Sequence, residues 1–178
     1  MTAPILAIDL GKFKSTACIY QAADGEFAVE SFVTERESLV RLLAKHRPSV
    51  VAIEACLPAG WVSDQCRAAG VPCKVANTAS EAWKFKHAKR KTDKDDALRL
   101  AQLEALGQLP TVDLPGPAVR QWRALIACRQ RLVVKRVAVQ NRLRALLVGQ
   151  GLAAPCGASA WSERGLAHFR GLSAPLEG

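Results

Sequence analysis

Two apolar runs that each stop at an acid constrain this chain more than any other feature. Ile5-Leu6-Ala7-Ile8 is closed by Asp9, and Val50-Val51-Ala52-Ile53 is closed by Glu54. Short continuous apolar runs read as buried strands. An uncompensated charge at the edge of a core costs several kcal/mol, so two such acids point to a shared partner that offsets them. A third acidic feature meets that need. In Lys91-Thr92-Asp93-Lys94-Asp95-Asp96-Ala97, Asp93 and Asp96 stand three residues apart where a helix should begin, and so share one helix face. The four carboxylates Asp9, Glu54, Asp93 and Asp96 together make a divalent-cation site. An all-oxygen donor set suits Mg²⁺ or Mn²⁺.

The acidic pair also has a purely structural explanation. Thr92 can cap the helix, and acids in a first turn gain about 0.3–1 kcal/mol from the helix dipole. Asp95 separates the two readings, because on a helix it points away from the Asp93/Asp96 face and serves the first turn by itself. Two ions ~3.5–4 Å apart could hold a scissile phosphate in such a site, one activating the nucleophile and the other stabilising the departing oxygen.

The surroundings of these acids are basic. The 178 residues carry a formal net charge of +9, which suits a polyanionic partner. Lys84, Lys86, Lys89, Arg90, Lys91 and Lys94 form a collar around the acidic pair. From Pro115 to Gln150 there are eight Arg or Lys and no Asp or Glu: Arg120, Arg123, Arg129, Arg131, Lys135, Arg136, Arg142 and Arg144. Apolar residues at Trp122, Leu125, Ile126, Leu132, Val133, Val137, Leu143, Leu146 and Leu147 keep helical spacing, so this stretch reads as one long amphipathic helix, or two. Arg129 and Arg136 interrupt the best heptad register, which favours a partner helix over an uninterrupted two-stranded zipper. Trp83 and Phe85 fall inside the collar, but with only ten aromatics in the chain, backbone recognition is more credible than a base-stacking platform.

Strand character runs over Ile5 to Leu10, Ser15 to Gln21 and Phe27 to Val33, with Asp24-Gly25 as a hairpin turn. A helix is expected from Glu35 to His46, stopped by Arg47-Pro48 before the strand Val50 to Glu54. Pro58 opens a second helix that Gly70 closes, Val71 to Ala76 is a fifth strand, and Asn77 or Thr78 caps a helix running towards His87. Three hairpin-linked strands followed by alternating helix and strand predict a mixed five-stranded α/β sheet with flanking helices, in an RNase H-like order. In such a sheet the strands ending in Asp9 and Glu54 lie side by side. The expected division is a RuvC-like catalytic domain over residues 1–112, a basic helical extension over 113–150, and a weakly structured tail over 151–178 that is either mobile or the start of a second domain.

No apolar run approaches the ~20 residues needed to span a bilayer. The N-terminal run is interrupted by Asp9 and reads as a core strand rather than a signal peptide, so the expected compartment is the cytoplasm. Cys18, Cys56, Cys66, Cys73, Cys128 and Cys156 show no zinc-finger spacing and no disulfide framework, and are read as small core or surface residues. His46, His87 and His168 are scattered and are read as solvated helix residues.

At its acidic motifs the chain resembles the DEDD-type transposases of the insertion-sequence one-ten family, relatives of the pilin-inverting recombinase and of RuvC-like junction resolvases. The resemblance covers roughly Ile5 to Leu147. Lys91-Thr92-Asp93-Lys94-Asp95-Asp96-Ala97 matches the family's Lys-Thr-Asp-x-x-Asp-Ala motif at every defined position. Ala7-Ile8-Asp9-Leu10-Gly11-Lys12 resembles the first-strand motif, with Gly11 where a small polar residue is usual. Ala52-Ile53-Glu54-Ala55 resembles the third motif, with Cys56-Leu57 in place of the common Thr-Gly.

This resemblance implies a RuvC-type domain with Asp9, Glu54, Asp93 and Asp96 as its metal-binding tetrad. It also implies a coiled-coil region that acts in homo-oligomer assembly, DNA as substrate, and a structured guide RNA as partner. It further implies a second domain with a nucleophilic serine, and Ser159, Ser162 and Ser173 match no such motif. Two other readings compete. The chain could be a catalytically silent nucleic-acid-binding module, or Asp9-Leu10-Gly11-Lys12-Phe13-Lys14-Ser15-Thr16 could be the first phosphate loop of an actin-like ATPase, for which the chain lacks a second subdomain.

Overall fold

The computed structural model of the protein describes residues 3–77, 79–80, 92–153 and 156–172. Five strands form one mixed sheet: β1 (Ile5–Asp9), β2 (Lys14–Tyr20), β3 (Phe27–Val33), β4 (Val50–Glu54) and β5 (Cys73–Ala76), in the order β3-β2-β1-β4-β5. β2 is antiparallel to both β1 and β3, while β1, β4 and β5 are mutually parallel. Parallel neighbours need crossovers. Here α1 (Arg36–His46) precedes β4, and α2 (Ala59–Ala68) joins β4 to β5. The turn from β1 to β2 requires Gly11, because a Cβ there would sit 2.1 Å from the Lys14 carbonyl oxygen.

These elements fall within a residue or two of the sequence expectation. β5 is shorter than predicted, beginning at Cys73 rather than Val71. Gly70 turns the chain at φ +71, and Pro72 has no N–H to give to a ladder. The helix expected to run towards His87 lies outside the described residues, as do Lys84, Lys86, Lys89, Arg90 and Lys91.

Strand alternation divides the sheet's side chains between two cores. Leu6, Ile8, Ala17, Ile19, Val51, Ile53 and Val75 pack with Leu39, Leu42 and Leu43 of α1 and Val62 and Cys66 of α2. On the opposite face, Ile5, Ala7, Cys18, Val50, Ala52 and Ala76 pack with Ala97, Leu100 and Ala101 of α3 (Asp93–Ala105). By the same alternation, Asp9 continues the Ile5, Ala7 series and Glu54 continues Val50, Ala52. Both strand-end acids therefore belong to the α3 side of the sheet.

His46, expected to be solvated, is instead half-buried with its Nε2 3.2 Å from Glu30, which also pairs with Lys45. Burial disfavours the Glu30 carboxylate, but hydrogen bonds and charge from Lys45 and His46 outweigh it and hold its pKa below the usual value.

The chain divides into two compact units, Met1–Arg120 and Gln121–Gly178. The basic stretch forms a single helix, α4 (Pro117–Gly149), with no buried residue along its 33 positions. Its first turn belongs to the first unit. There Arg120 pairs with Asp64 of α2 and donates to the Pro115 carbonyl at 2.7 Å. In the second unit, the tail that the sequence reads as weakly structured contains a 3-10 helix (Ala158–Trp161) and a short helix α5 (Glu163–Gly171). Ser162 caps α5 by accepting the Gly165 N–H, and Trp161 and Phe169 stack with ring centroids 5.2 Å apart. Two aromatics and one cap suffice for a local turn that has no apolar periodicity to announce it. Among the described residues no helix is long and apolar enough to cross a membrane.

Candidate metal centre and its basic surround

The ladder register aligns the polar ends of the strands. Asp9 of β1 is opposite Thr16 of β2, and Thr16 is opposite Ser31 of β3. Ile8 is beside Ile53, so Asp9 and Glu54 occupy the next position of two parallel neighbours. One transverse row, Ser31, Thr16, Asp9, Glu54, thus crosses the α3 face, with neighbouring strands about 4.8 Å apart. Asp9 and Glu54 are each half-buried.

The start of α3 lies over this row. Its buried stripe is Ala97, Leu100 and Ala101. Asp93 stands four residues before Ala97, and Asp96 four before Leu100, so both extend the stripe that faces the sheet. Asp96 is half-buried and Asp93 exposed. Asp93 and Thr16 line the same cavity, which fixes the helix start near the Asp9 end of the row.

Asp95 does something different. It forms a reciprocal capping box: Thr92 accepts the Asp95 N–H at 3.3 Å, and the Asp95 carboxylate accepts from the Thr92 N–H at 3.2 Å and from the Thr92 hydroxyl at 2.7 Å. Substituting Asp95→Asn should therefore cost about 1 kcal/mol or less in denaturant unfolding and leave Mn²⁺ stabilisation intact. A loss of Mn²⁺ response as large as that of Asp96→Asn would identify Asp95 as a ligand instead.

Cys56, two residues beyond Glu54, reports on the local field. Its thiol pKa is raised first by desolvation, and then by the negative charges of Glu54 and Asp9, against a lowering hydrogen bond from the Ala59 backbone. Both charges act on this thiol because β4 lies beside β1. Nothing in the spacing of Cys56 signals this neighbourhood.

The donor set fits a hard dication, since all four acids offer oxygen and stand at one end of the sheet and helix. Asp9, Glu54, Asp93 and Asp96 would hold it. Among the described residues, no three Asp, Glu, His or Cys side chains are drawn into a ready coordination cluster.

The cations sort into two groups. Arg120 is committed to Asp64 inside the sheet domain, whereas Arg123, Arg129, Arg131, Lys135, Arg136 and Arg142 are exposed along α4. Arg144 lies over the Trp161 ring at 4.9 Å.

The mixed sheet in the order 3-2-1-4-5, with acids closing its two central parallel strands and a helix start above them, defines an RNase H-like domain of the RuvC type. The model of the transposase family DEDD_Tnp_IS110 matches residues 6–150, and the chain belongs to that family. Among solved structures it is similar to T. thermophilus RuvC in complex with a Holliday junction substrate, at 16% identity over 61% of this chain and 99% of that one, with a TM-score of 0.45. It is also similar to the Fowlpox virus resolvase in complex with Holliday junction DNA, at 14% identity over 58% and 97% of the two chains, with a TM-score of 0.43. No curated protein matches the sequence.

Proposed function

We propose that this transposase-family chain cuts DNA strands at a divalent-metal centre held by Asp9, Glu54, Asp93 and Asp96. The observation that carries this reading is the placement of Asp9 and Glu54 on adjacent strands, on the face covered by the helix that begins with Asp93 and Asp96. Bound Mg²⁺ or Mn²⁺ would stabilise charge developing on the phosphate oxygens. The protein's own part is to seat the four acids on a rigid sheet and helix, and to screen the substrate's charge with neighbouring cations. The sheet domain, residues 1–112, would carry the cleavage.

The exposed cations of α4 would bind phosphate backbones, both of the DNA and of a structured guide RNA. Trp122, Leu125, Ile126, Leu132 and Leu146 are more than half exposed on the same helix. Pairing of α4 with a second copy would cover them and bring two acidic sites to one substrate, with residues 113–150 as the assembly segment.

The direct test is nicking of a four-way DNA junction by the purified chain in Mn²⁺, compared with the same reaction in chelator. Metal-dependent nicks are expected. Tight binding without any nick would instead favour the catalytically silent nucleic-acid-binding module.

A further inference from the structure

On the β2–β3 side of the acids lies a cavity of about 470 Å³ lined by Lys14, Thr16, Ser31, Thr92, Asp93 and Lys94. Among the described residues its lining comes from two lysines, three hydroxyl-bearing side chains and one of the proposed metal ligands. Thr16 and Ser31 continue the transverse row that contains Asp9 and Glu54, so their hydroxyls stand about one and two strand spacings, roughly 5 and 10 Å, from Asp9.

The lysines here differ from the other described lysines of the sheet domain. Lys45 is paired with Glu30, Lys74 with Glu104, and Lys12 lies over the Phe13 ring. Lys14 and Lys94 have no such partner among the described residues. Thr92 is occupied by the capping box with Asp95, so the other hydroxyl-bearing residues of the lining are the exposed Ser31 and Thr16, which is 7% exposed.

We propose that this cavity is a phosphate subsite for the nucleotide next to the scissile bond, with Lys14 and Lys94 neutralising the phosphate and Thr16 and Ser31 donating hydrogen bonds to its oxygens. The proposal rests on the metal-site reading, because the substrate's path is set by the acids. It assigns that path a direction: one side of the cut strand runs from the acids across β2 towards β3. An isolated anion suits the cavity less well, since the Asp93 carboxylate shares its wall. A polymer tethered at the neighbouring acids is held there by its own chain, and a cation bound to Asp93 removes the repulsion. Occupancy of the subsite is therefore coupled to metal.

The test uses the full chain, four-way junction DNA and Ca²⁺, which fills hard oxygen sites. Single methylphosphonate linkages are placed in turn on either side of the cut position. In the wild type, one neutral linkage next to the cut should weaken binding by roughly fivefold to tenfold, the loss expected for one phosphate contact near 0.15 M salt. In Lys14→Gln/Lys94→Gln, and separately in Thr16→Val, that linkage should make little further difference. Mn²⁺-induced thermal stabilisation should be unchanged in the lysine variant, whose replaced side chains are exposed and leave the core intact. Equal penalties at this linkage in wild type and both variants, with a normal Mn²⁺ shift, would overturn the subsite alone. Absence of any Mn²⁺ shift in the wild type would overturn the metal centre and the subsite with it.

Discussion

Asp9→Asn is expected to abolish Mn²⁺-dependent nicking of a four-way DNA junction, with a loss of at least about a thousandfold, equivalent to roughly 4 kcal/mol of transition-state stabilisation. Asp9 sits at the centre of the transverse row, between Thr16 and Glu54, and the amide keeps its shape while removing one negative charge from the proposed ligand set. The same substitution should remove most of the metal's effect on unfolding. For the wild type that effect should be about 2.7 kcal/mol at a hundredfold excess of Mn²⁺ over its dissociation constant. Thermal unfolding with and without Mn²⁺ measures this effect. Identical metal responses in wild type and Asp9→Asn would rule out the centre, whatever the nicking assay gave.

The second large effect is expected on nucleic-acid binding. Exchanging Arg129, Arg136 and Arg142 for Gln should flatten the dependence of log affinity on log salt by roughly three units if all three side chains reach phosphates, and should weaken binding about a hundredfold near 0.15 M salt. With about five contacts along α4, the parent slope should be near −4 to −5. The basis is the one-sided charge of the segment, since solvated helix faces normally mix both signs. Arg129 and Arg136 also share a face of α4, where they line a small cavity with Leu132 and Val133. Arg120 should not behave like them. Its guanidinium is held by Asp64 and the Pro115 carbonyl, so Arg120→Gln is expected to lower stability more than the salt slope. Unaltered salt dependence in the triple variant, with helicity retained by circular dichroism, would remove α4 as the phosphate-binding surface.

Much of the candidate site was legible in the residue order because its parts are local. The apolar runs ending in Asp9 and Glu54 mark two strands, and the i, i+3 spacing of Asp93 and Asp96 marks one helix face. The role of Asp95 as a capping residue follows from Thr92 three positions earlier and is seen directly in the capping box. Other features were not legible. That Thr16 and Ser31 stand in line with Asp9 depends on the register of two hairpins. That register is set by the tight Gly11 turn and by packing across the whole sheet. That Cys56 senses Asp9 depends on β4 lying beside β1, a contact between segments more than forty residues apart. The charge count of the basic stretch was correct, yet it could not reveal that Arg120 is engaged by an acid on α2.

Residue order alone specifies the elements, the face on which each acid lies along its own strand or helix, and the excess of positive charge beside them. Those properties follow from periodicity and composition, which act over a few residues. The side-by-side placement of β1 and β4 was expected from the order of elements, but the covering of the acid-bearing face by α3 and the extension of the row through Thr16 and Ser31 into a cavity with two lysines emerge from the packed fold alone. A strand's partner and a helix's resting face are chosen by burial of apolar area over the whole sheet, which no single segment encodes. Here the alanine-rich α3 side and the larger aliphatic α1 and α2 side must both be filled at once.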